Sequence, residues 1–381
     1  MKKIVTNSII FCLFHIFSII LLADDVSGNM LNRHSFIIWE TKSGPQLAAE
    51  MLIGKYPEDT LSSNLITNDK NKDLADISSP EQLIIKEFNL TLTADKEAIL
   101  DLYYDEDAKK YADKVFPDIY ETQKWHKKIK DIKFQTKSMY GDLIRIRYKL
   151  LDKDPNAFSM PWSSLCKKFN GKFYFMGYDT IKNSNIELFA IVSEMYPYWD
   201  EKLCHVEKGK FSNMKKAIFS PAENYSKTES SDLIIYYSLK DFTKQEKLKN
   251  EVLQLLKKVQ SGYINDDHEA ILSTAHPEIR SRMKMNLEGN PYAYKQSKAS
   301  FTDLQSFTMN YYIGDSDDLF VFTQRELKDG TIDKTLKLFM FQRYKGNLYL
   351  TDTPTEMSVL HILNNTQMSK EIYQKVAILT P

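Results

Sequence analysis

The chain has 381 residues, of which 43% are hydrophobic and 27% charged, a balance that excludes wholesale disorder. Lys plus Arg and Asp plus Glu both number 51, so the basic excess typical of a nucleic-acid binder is missing. Only 12 residues are Gly, whereas 22 are Tyr and 21 are Phe, which favours β-sheet packing over Gly-rich phosphate loops.

The first predicted element is an export signal. Met1-Lys2-Lys3 gives a short positive start, and Ser8–Ala23 is an apolar run without a charged residue. This is the pattern of a signal peptide cleaved after Ala23, because the run is short for a membrane span of about 20 residues. An uncleaved N-terminal anchor is the alternative. Cleavage predicts a periplasmic or secreted chain with no stable membrane insertion.

Cleavage would leave two cysteines, Cys166 and Cys204. In an exported chain the two thiols could form one disulfide, whose loop closure is worth roughly 4 kcal/mol in the chain-entropy model. Two buried, apolar thiols are the alternative. The sequence does not decide between them.

An internal repeat organises the chain. Three blocks recur in the same order at nearly constant spacing: Asp95–Leu100 with Asp267–Leu272, Asp142–Ile146 with Asp318–Phe322, and Lys168–Phe175 with Arg343–Leu350. This order indicates a duplication over about 79–180 and 244–354.

Each repeat begins with predicted helices. Ser79 is a candidate N-cap before Pro80, and Asp95 and Asp267 each start a short second helix. Apolar stripes at helical spacing mark the long first helix of each repeat: Ile84, Ile85, Phe88 and Leu92, then Leu248, Val252, Leu255, Leu256 and Val259.

Strands follow the helices in each repeat. Residues 142–150 alternate between polar and apolar side chains, which predicts a half-buried strand. Asn170-Gly171 and Lys345-Gly346 each predict a two-residue hairpin turn. Two more strands are expected outside the repeats, at Ser35–Glu40 and Leu233–Leu239.

Helices followed by antiparallel strands give an α+β order. With the D-x-E-A-I-L helix and the terminal F-N-G-K-F-Y-F and Y-K-G-N-L-Y-L strands, the chain resembles the NTF2-like, or cystatin-like, cone superfamily. The resemblance implies two tandem cones of helices on curved antiparallel sheets. The expected division is 1–23 signal peptide, 24–78 N-terminal strand-containing segment, 79–182 first repeat, 183–243 connecting segment with extra strands, 244–354 second repeat and 355–381 C-terminal segment.

Most motifs for cofactor or metal chemistry are missing. The sequence holds no G-x-G-x-x-G, P-loop, C-x-x-C or H-E-x-x-H, so no cofactor and no metal are expected. His268-Glu269 is interpreted as a solvated helix start and His276 as a cap. The Asp315–Asp318 run lacks the spacing of a calcium loop and is interpreted as a turn.

Trp125-His126 is the most suggestive pair for chemistry. A His beside an apolar cavity can serve as a general base near neutral pH, and members of the resembling superfamily use such residues inside the cone. The alternative is a core Trp followed by an exposed His. The second repeat has no His at the equivalent place.

Other aromatic residues are candidates for binding. Trp162, beside Pro161, is assigned to the connection between two strands. Tyr198 and Trp199 end a compact aromatic run that could contact a glycan or a protein. Alternatively, this aromatic run packs between two domains and has a structural role.

These observations leave three functional hypotheses. The first is an exported, non-catalytic binding or assembly module of the bacterial envelope, with a small ligand or an envelope protein as its unknown partner and no nucleic acid. The second is a lyase or isomerase that uses a cone pocket. The third is a structural interaction protein with filled cones. A polar-lined cavity of several hundred cubic ångströms holding a His or Asp would favour the enzyme.

Overall fold

A computed structural model describes residues 31–58, 60–62, 77–115, 118–157, 159, 161–177, 184–221, 232–333, 336–351 and 354–379. The predicted signal peptide, 1–23, lies outside these residues. The chain forms two compact units: unit one includes Leu52–Ile181, and unit two includes His34–Met51 and Lys182–Pro381. Helices combine with antiparallel sheets throughout, which confirms the predicted α+β class.

The helices and strands follow one another along the chain in three successive groups. The first group is β1 (Asn32–Thr41), β2 (Gly44–Lys55), α1 (Pro80–Thr93), α2 (Lys96–Leu100), α3 (Glu106–Val115), α4 (Ile119–His126), β3 (Ile129–Tyr140), β4 (Leu143–Asp152), β5 (Pro161–Phe169) and β6 (Lys172–Phe175). Next come α5 (Ser184–Glu194), α6 (Glu201–Cys204), β7 (Lys215–Phe219), β8 (Leu233–Tyr237) and β9 (Leu239–Asp241). The last are α7 (Glu246–Ile264), α8 (His268–Thr274), α9 (Arg280–Gly289), α10 (Pro291–Thr302), β10 (Leu304–Gly314), β11 (Asp318–Leu327), β12 (Lys337–Tyr344), β13 (Asn347–Leu350), α11 (Pro354–Asn364) and α12 (Thr366–Leu379).

Unit one is an antiparallel sheet covered by helices. Its strand order is β6-β5-β4-β3, and Leu52–Lys55 of β2 pairs with the outer side of β3. Two register shifts interrupt the β3–β4 ladder, at Ile129/Asp131 and Phe134/Thr136. Such bulges bend a strand and increase its twist, which makes one face of a sheet concave. Leu83, Ile84 and Ile85 of α1 are buried in the core of this unit.

Side-chain caps start the predicted helices. Ser79 Oγ accepts from the Gln82 amide at 3.2 Å, as predicted for the N-cap of α1. Asp95 and Asp267 accept from amides three residues ahead, at 3.1 and 2.9 Å. Each carboxylate satisfies an amide that the first helical turn leaves without a partner. These bonds confirm the predicted starts of α2 and α8.

Two matching hairpins close the sheets. Asn170-Gly171 joins β5 to β6 with φ of 49° and 82°, and Lys345-Gly346 joins β12 to β13 with φ of 49° and 85°. Positive φ at both central residues is the requirement of a type I′ turn, whose twist suits antiparallel strands. Both predicted hairpins are therefore confirmed.

Unit two contains two groups of paired strands. Leu47–Glu50 of β2 pairs with β8, which pairs with β7, while β1 pairs with β2. The second group has the order β13-β12-β11-β10-β9. Residues Ser35–Glu40 lie within β1, and Leu233–Leu239 extends from β8 to the start of β9.

Helix α7 carries the core of the second group of strands. Its apolar stripe packs with Phe242 and with residues of β10–β13, the buried members being Phe242, Leu248, Val252, Leu256, Met309, Tyr312, Leu319, Val321, Phe341 and Leu348. The opposite face of α7 is rich in lysines and exposed. The hydrophobic stripe therefore determines which face of the helix is turned inward.

One segment of each unit has the same order of elements: residues 80–175 in unit one and 246–350 in unit two. In each, a long helix, a short capped helix and two further helices precede four antiparallel strands. A backbone bond also recurs: the Tyr104 amide donates to Phe175 O at 3.0 Å, and the His276 amide donates to Leu350 O at 2.7 Å. Both bonds tie the segment after the short helix to the last strand.

The structure changes one strand assignment. Trp162 lies within β5, opposite Tyr148 of β4, and not in a connection between strands. Pro161 opens the strand, a position that tolerates its missing amide hydrogen. No helix among the described residues is long and apolar enough to cross a membrane.

We predict that Gly314→Ala destabilises unit two. Gly314 has a φ of +124°, and an added Cβ would lie 2.1 Å from Asp318 O, so the β10–β11 turn has to shift. We expect a loss of about 3 kcal/mol or more, seen as faster hydrogen exchange in β10 and β11. Gly330→Ala is the control: its φ is +80° but an added Cβ would meet no described atom within 4 Å, so about 1 kcal/mol is expected. Equal effects of the two substitutions would contradict the prediction.

Candidate functional site

Unit one holds a partly open cavity of about 340 Å³ between its helices α1 and α4 and one face of its sheet. This volume lies at the small end of the range of small-molecule sites, roughly 300–1,000 Å³. The lining is mostly apolar and aromatic, with a few polar groups. Its residues are Ile84, Glu87, Phe88, Tyr103, Thr122, Trp125, His126, Ile132, Tyr148, Leu150, Trp162, Ser163, Ser164, Leu165, Phe175 and Met176.

Regular spacing in each element brings these side chains together. Ile84, Glu87 and Phe88 are three and four residues apart on α1, so they share one face of the helix. Thr122, Trp125 and His126 repeat that spacing on α4. Alternate residues of a strand point to the same face of a sheet. Tyr148 and Leu150 on β4 therefore face the cavity together with Trp162 and Ser164 on β5.

Glu87 is the acidic group of the cavity. Its Oε1 accepts a hydrogen bond from the Tyr103 hydroxyl at 3.2 Å. Burial raises the pKa of Glu87 from its ordinary value of 4.5 to about 7, and the bond from Tyr103 opposes that rise. The carboxyl group therefore gains and loses a proton near neutral pH.

His126 is the basic group. Its Nδ1 lies 2.9 Å from the carbonyl oxygen of Thr122, which can only accept, so Nδ1 carries a proton. Burial lowers the pKa of His126, against the effect of that hydrogen bond. The neutral ring then has its lone pair on Nε2, the form that a general base requires.

Two tryptophans form the partly open side of the cavity. The rings of Trp125 and Trp162 lie 5.6 Å apart and are 38% and 43% exposed. The His126 ring lies between Trp125, at 5.1 Å, and Phe88, at 5.0 Å. Aromatic faces of this kind bind flat apolar groups and organic cations.

Nearby charged groups are held apart from the cavity or already paired. Arg145 donates to Ser163 at 2.7 Å but is out of phase with Tyr148, so strand alternation places it on the opposite face of the sheet. Glu81, in the core beside the cavity, accepts from the Tyr56 hydroxyl and from Lys137 at 3.4 Å. Glu87 is therefore the acidic residue that lines the cavity.

The sequence-predicted site residues divide between the units. Trp125, His126 and Trp162 line one cavity in unit one, although the sequence connects them by no motif. Tyr198 and Trp199 belong to unit two, where their rings meet edge to face at 5.0 Å and Trp199 is 69% exposed. His126 is half-buried, whereas Trp125 is more exposed than a core residue.

The cysteines and the remaining candidates have structural surroundings. Cys166 and Cys204 are buried, free thiols, and Cys204 Sγ contacts Pro197 O at 3.0 Å. His276 is a cap, but it caps the start of the short 3₁₀ helix Pro277–Ile279 and not the end of α8. Asp315 accepts from the amides of the following turn, as predicted. No group of three His, Cys, Asp or Glu side chains among the described residues could hold a metal.

Glu87 and Tyr103 are the site residues that the sequence analysis missed. A signal for Glu87 was present, because an acid stands inside the apolar stripe between Ile84 and Phe88. An ionisable group on the buried face of a helix is rare unless it is paired or functional. Tyr103 follows α2 and had no such signal.

Comparison with known proteins identifies no relative. The chain matches no protein-family model, no curated protein and no solved structure. Function is therefore inferred from the cavity. The cavity offers aromatic walls, an acid that titrates near neutral pH and a neutral imidazole.

We predict that Glu87→Gln stabilises the protein relative to wild type as the pH rises. The folded chain holds the Glu87 proton up to about pH 7, whereas the unfolded chain releases it near pH 4.5. The contribution of Glu87 to stability is therefore present below pH 4.5 and is lost as pH rises through 7. Gln cannot ionise, so the difference in unfolding free energy should grow by about 3 kcal/mol between pH 4.5 and 8.

Urea denaturation at the two pH values measures this difference. Glu97→Gln, which removes an exposed carboxylate outside the cavity, is the matched control and should show no comparable change. A pH-independent difference between Glu87→Gln and wild type would contradict the predicted ionisation.

Proposed function

We propose that the protein is an exported, non-catalytic binding module whose small-molecule ligand occupies the cavity of unit one. The observation that carries the proposal is a partly open, mostly apolar cavity with a few converging polar groups. Glu87, Tyr103 and His126 supply hydrogen bonds that would orient a ligand, and the two tryptophans supply contact area at the open side. A bacterial host and a periplasmic or secreted location are parts of the same proposal, resting on the predicted signal peptide and the 44 Lys to 7 Arg.

We also propose that the two units are tandem copies of one cone-type fold, similar to the NTF2-like superfamily. The repeated sequence blocks, the shared order of elements and the matching bonds at Tyr104 and His276 support this proposal. At the spacing of the first block, Glu87 corresponds to Val259 and Tyr103 to Ala275, both buried. These replacements favour a structural role for unit two, in line with a filled cone.

An acid–base enzyme of the lyase or isomerase kind is the second candidate. The specific observation that favours it is the pairing of a carboxyl with a pKa of about 7 and a neutral histidine in one cavity. Both groups suit proton transfer near neutral pH. Incubation with a bound compound separates the candidates: release of a chemically altered product, lost in Glu87→Gln, would favour the enzyme.

We predict that the cavity binds a neutral apolar fluorophore. N-phenyl-1-naphthylamine, which brightens in apolar surroundings, should saturate one site. Trp125→Ala and Trp162→Ala should each weaken binding about tenfold, because each removes an aromatic wall worth more than 1 kcal/mol. Trp199→Ala, which removes an exposed tryptophan of unit two, is the control and should bind as wild type does. Equal loss in all three variants, or no saturable binding, would contradict the proposed site.

We predict that the mature protein begins at Asp24. A signal peptidase would cut after Ala23, so intact-mass measurement of the protein from the envelope or medium of an expressing bacterium should show that N-terminus. Ala23→Arg should block the cut and retain the precursor, whereas Ala23→Ser should be processed normally. A full-length chain in the cytoplasmic fraction would contradict export.

A further inference from the structure

We propose that the cavity of unit one is selective for organic cations: an ammonium group attached to an aromatic or compact aliphatic body. The inference rests on the proposed function, because it names the class of ligand for the same cavity. Three independent features of the lining support it: the sign of its charge, the incomplete pairing of Glu87 and the arrangement of the aromatic rings.

The charge of the lining is negative or zero. Glu87 is its acid, and among the described residues that line the cavity none is Lys, Arg or Asp. The other titratable groups of the lining are Tyr103, His126 and Tyr148. The adjoining core holds the Cys166 thiol, on the same face of β5 as Trp162 and Ser164, and Glu81, which is paired with Tyr56 and Lys137. Neutral His126 adds no positive charge. An anionic ligand would therefore meet a carboxylate with no cation to offset it, whereas an ammonium group would meet its counter-charge.

The carboxyl of Glu87, which is half-buried, has fewer partners than the two buried glutamates of the described residues. Glu50, in unit two, is contacted by Ser35 at 3.3 Å, Tyr236 at 2.9 Å and Lys208 at 3.0 Å. Glu81, in unit one, has a tyrosine and a lysine partner. Within the described part of the chain, the hydrogen bond from Tyr103 is the one that reaches Glu87. A buried carboxylate with no cationic partner is costly, and a ligand cation would supply that partner.

The aromatic rings of the lining also favour a cationic ligand. Phe88, Trp125 and Trp162 lie on two helices and a strand around the open part of the cavity, and Trp125 and Trp162 are near neighbours at 5.6 Å. The faces of tryptophan rings attract cations, most strongly when the cation is desolvated. An ammonium group would thus meet aromatic faces and one carboxylate, the combination that recognises alkylated amines.

A matched pair of probes tests the inference. Benzyltrimethylammonium carries a permanent positive charge, and neopentylbenzene has nearly the same shape without the charge. Both would compete with N-phenyl-1-naphthylamine, and calorimetry would check the affinity of the cation. At pH 8.5 we expect the cation to bind about tenfold more tightly than neopentylbenzene. Glu87→Gln should reduce this preference to about twofold, whereas the Glu97→Gln control should keep it.

The pH dependence in wild type gives a second test that needs no variant. The charge of the quaternary cation is constant, so only the protein titrates. As pH falls from 8.5 to 5.5, the ionised fraction of Glu87 falls to about 3%, and affinity for the cation should fall about fivefold, as in Glu87→Gln. Neopentylbenzene should bind equally well at both pH values. Persistence of the cation's pH dependence in Glu87→Gln would assign it to His126 and would overturn the role of Glu87.

The outcomes separate this inference from the proposed function. If the fluorophore binds and neopentylbenzene competes as well as the cation does, cation selectivity is overturned while the binding site stands. If neither the fluorophore nor either probe binds, both the site and the inference fail. A tenfold preference for the cation that is lost in Glu87→Gln and retained in Glu97→Gln supports the inference.

Discussion

Burial of the apolar stripe of α1 against a bent sheet is the interaction on which unit one depends. Ile84 and Phe88 require a partner surface, and the strands β3–β6 provide it. Two register shifts in β3, of the kind that bend a strand, interrupt that surface, and the side chains of α1 and α4 do not fill the space above it. The space that remains is the cavity. The same packing that stabilises the unit therefore creates its candidate binding site.

The position of Glu87 within the stripe gives the cavity its chemistry. An ionised carboxylate at this depth is unfavourable, so the group keeps its proton to about pH 7 and accepts one bond from Tyr103. Unit two has apolar Val259 and Ala275 at the corresponding positions, and its helix α7 packs on the strands without an acid in the stripe. If the two units are tandem copies as proposed, these two replacements distinguish the filled core of unit two from the candidate site of unit one.

The surroundings of the buried acids distinguish structural from functional roles. Glu50 and Glu81 each have a hydroxyl and an ammonium partner, so their charges are compensated within the fold. The negative charge of Glu87 is instead offset by a bound proton and by the hydrogen bond from Tyr103. A cationic ligand could take the place of that proton. An incompletely paired group of this kind marks where a partner from outside the chain would contribute most.

The sequence by itself determined the local features of this protein. The caps at Ser79, Asp95 and Asp267 and the two hairpin turns depend on neighbouring residues only, so their patterns are legible in the chain. The sequence predicts that Trp162, beside Pro161, lies in the connection between two strands. Only the tertiary structure placed that residue in β5, beside Trp125.

The tertiary structure also decided the composition of the site. Glu87, Tyr103, His126 and Trp162 come from four separate segments, and their meeting depends on how α1 and α4 lie over the sheet. The raised pKa of Glu87 has the same origin, because burial by distant residues causes it. Local patterns encode helices, turns and strands, whereas a cavity and its electrostatics arise from packing between segments far apart in the chain.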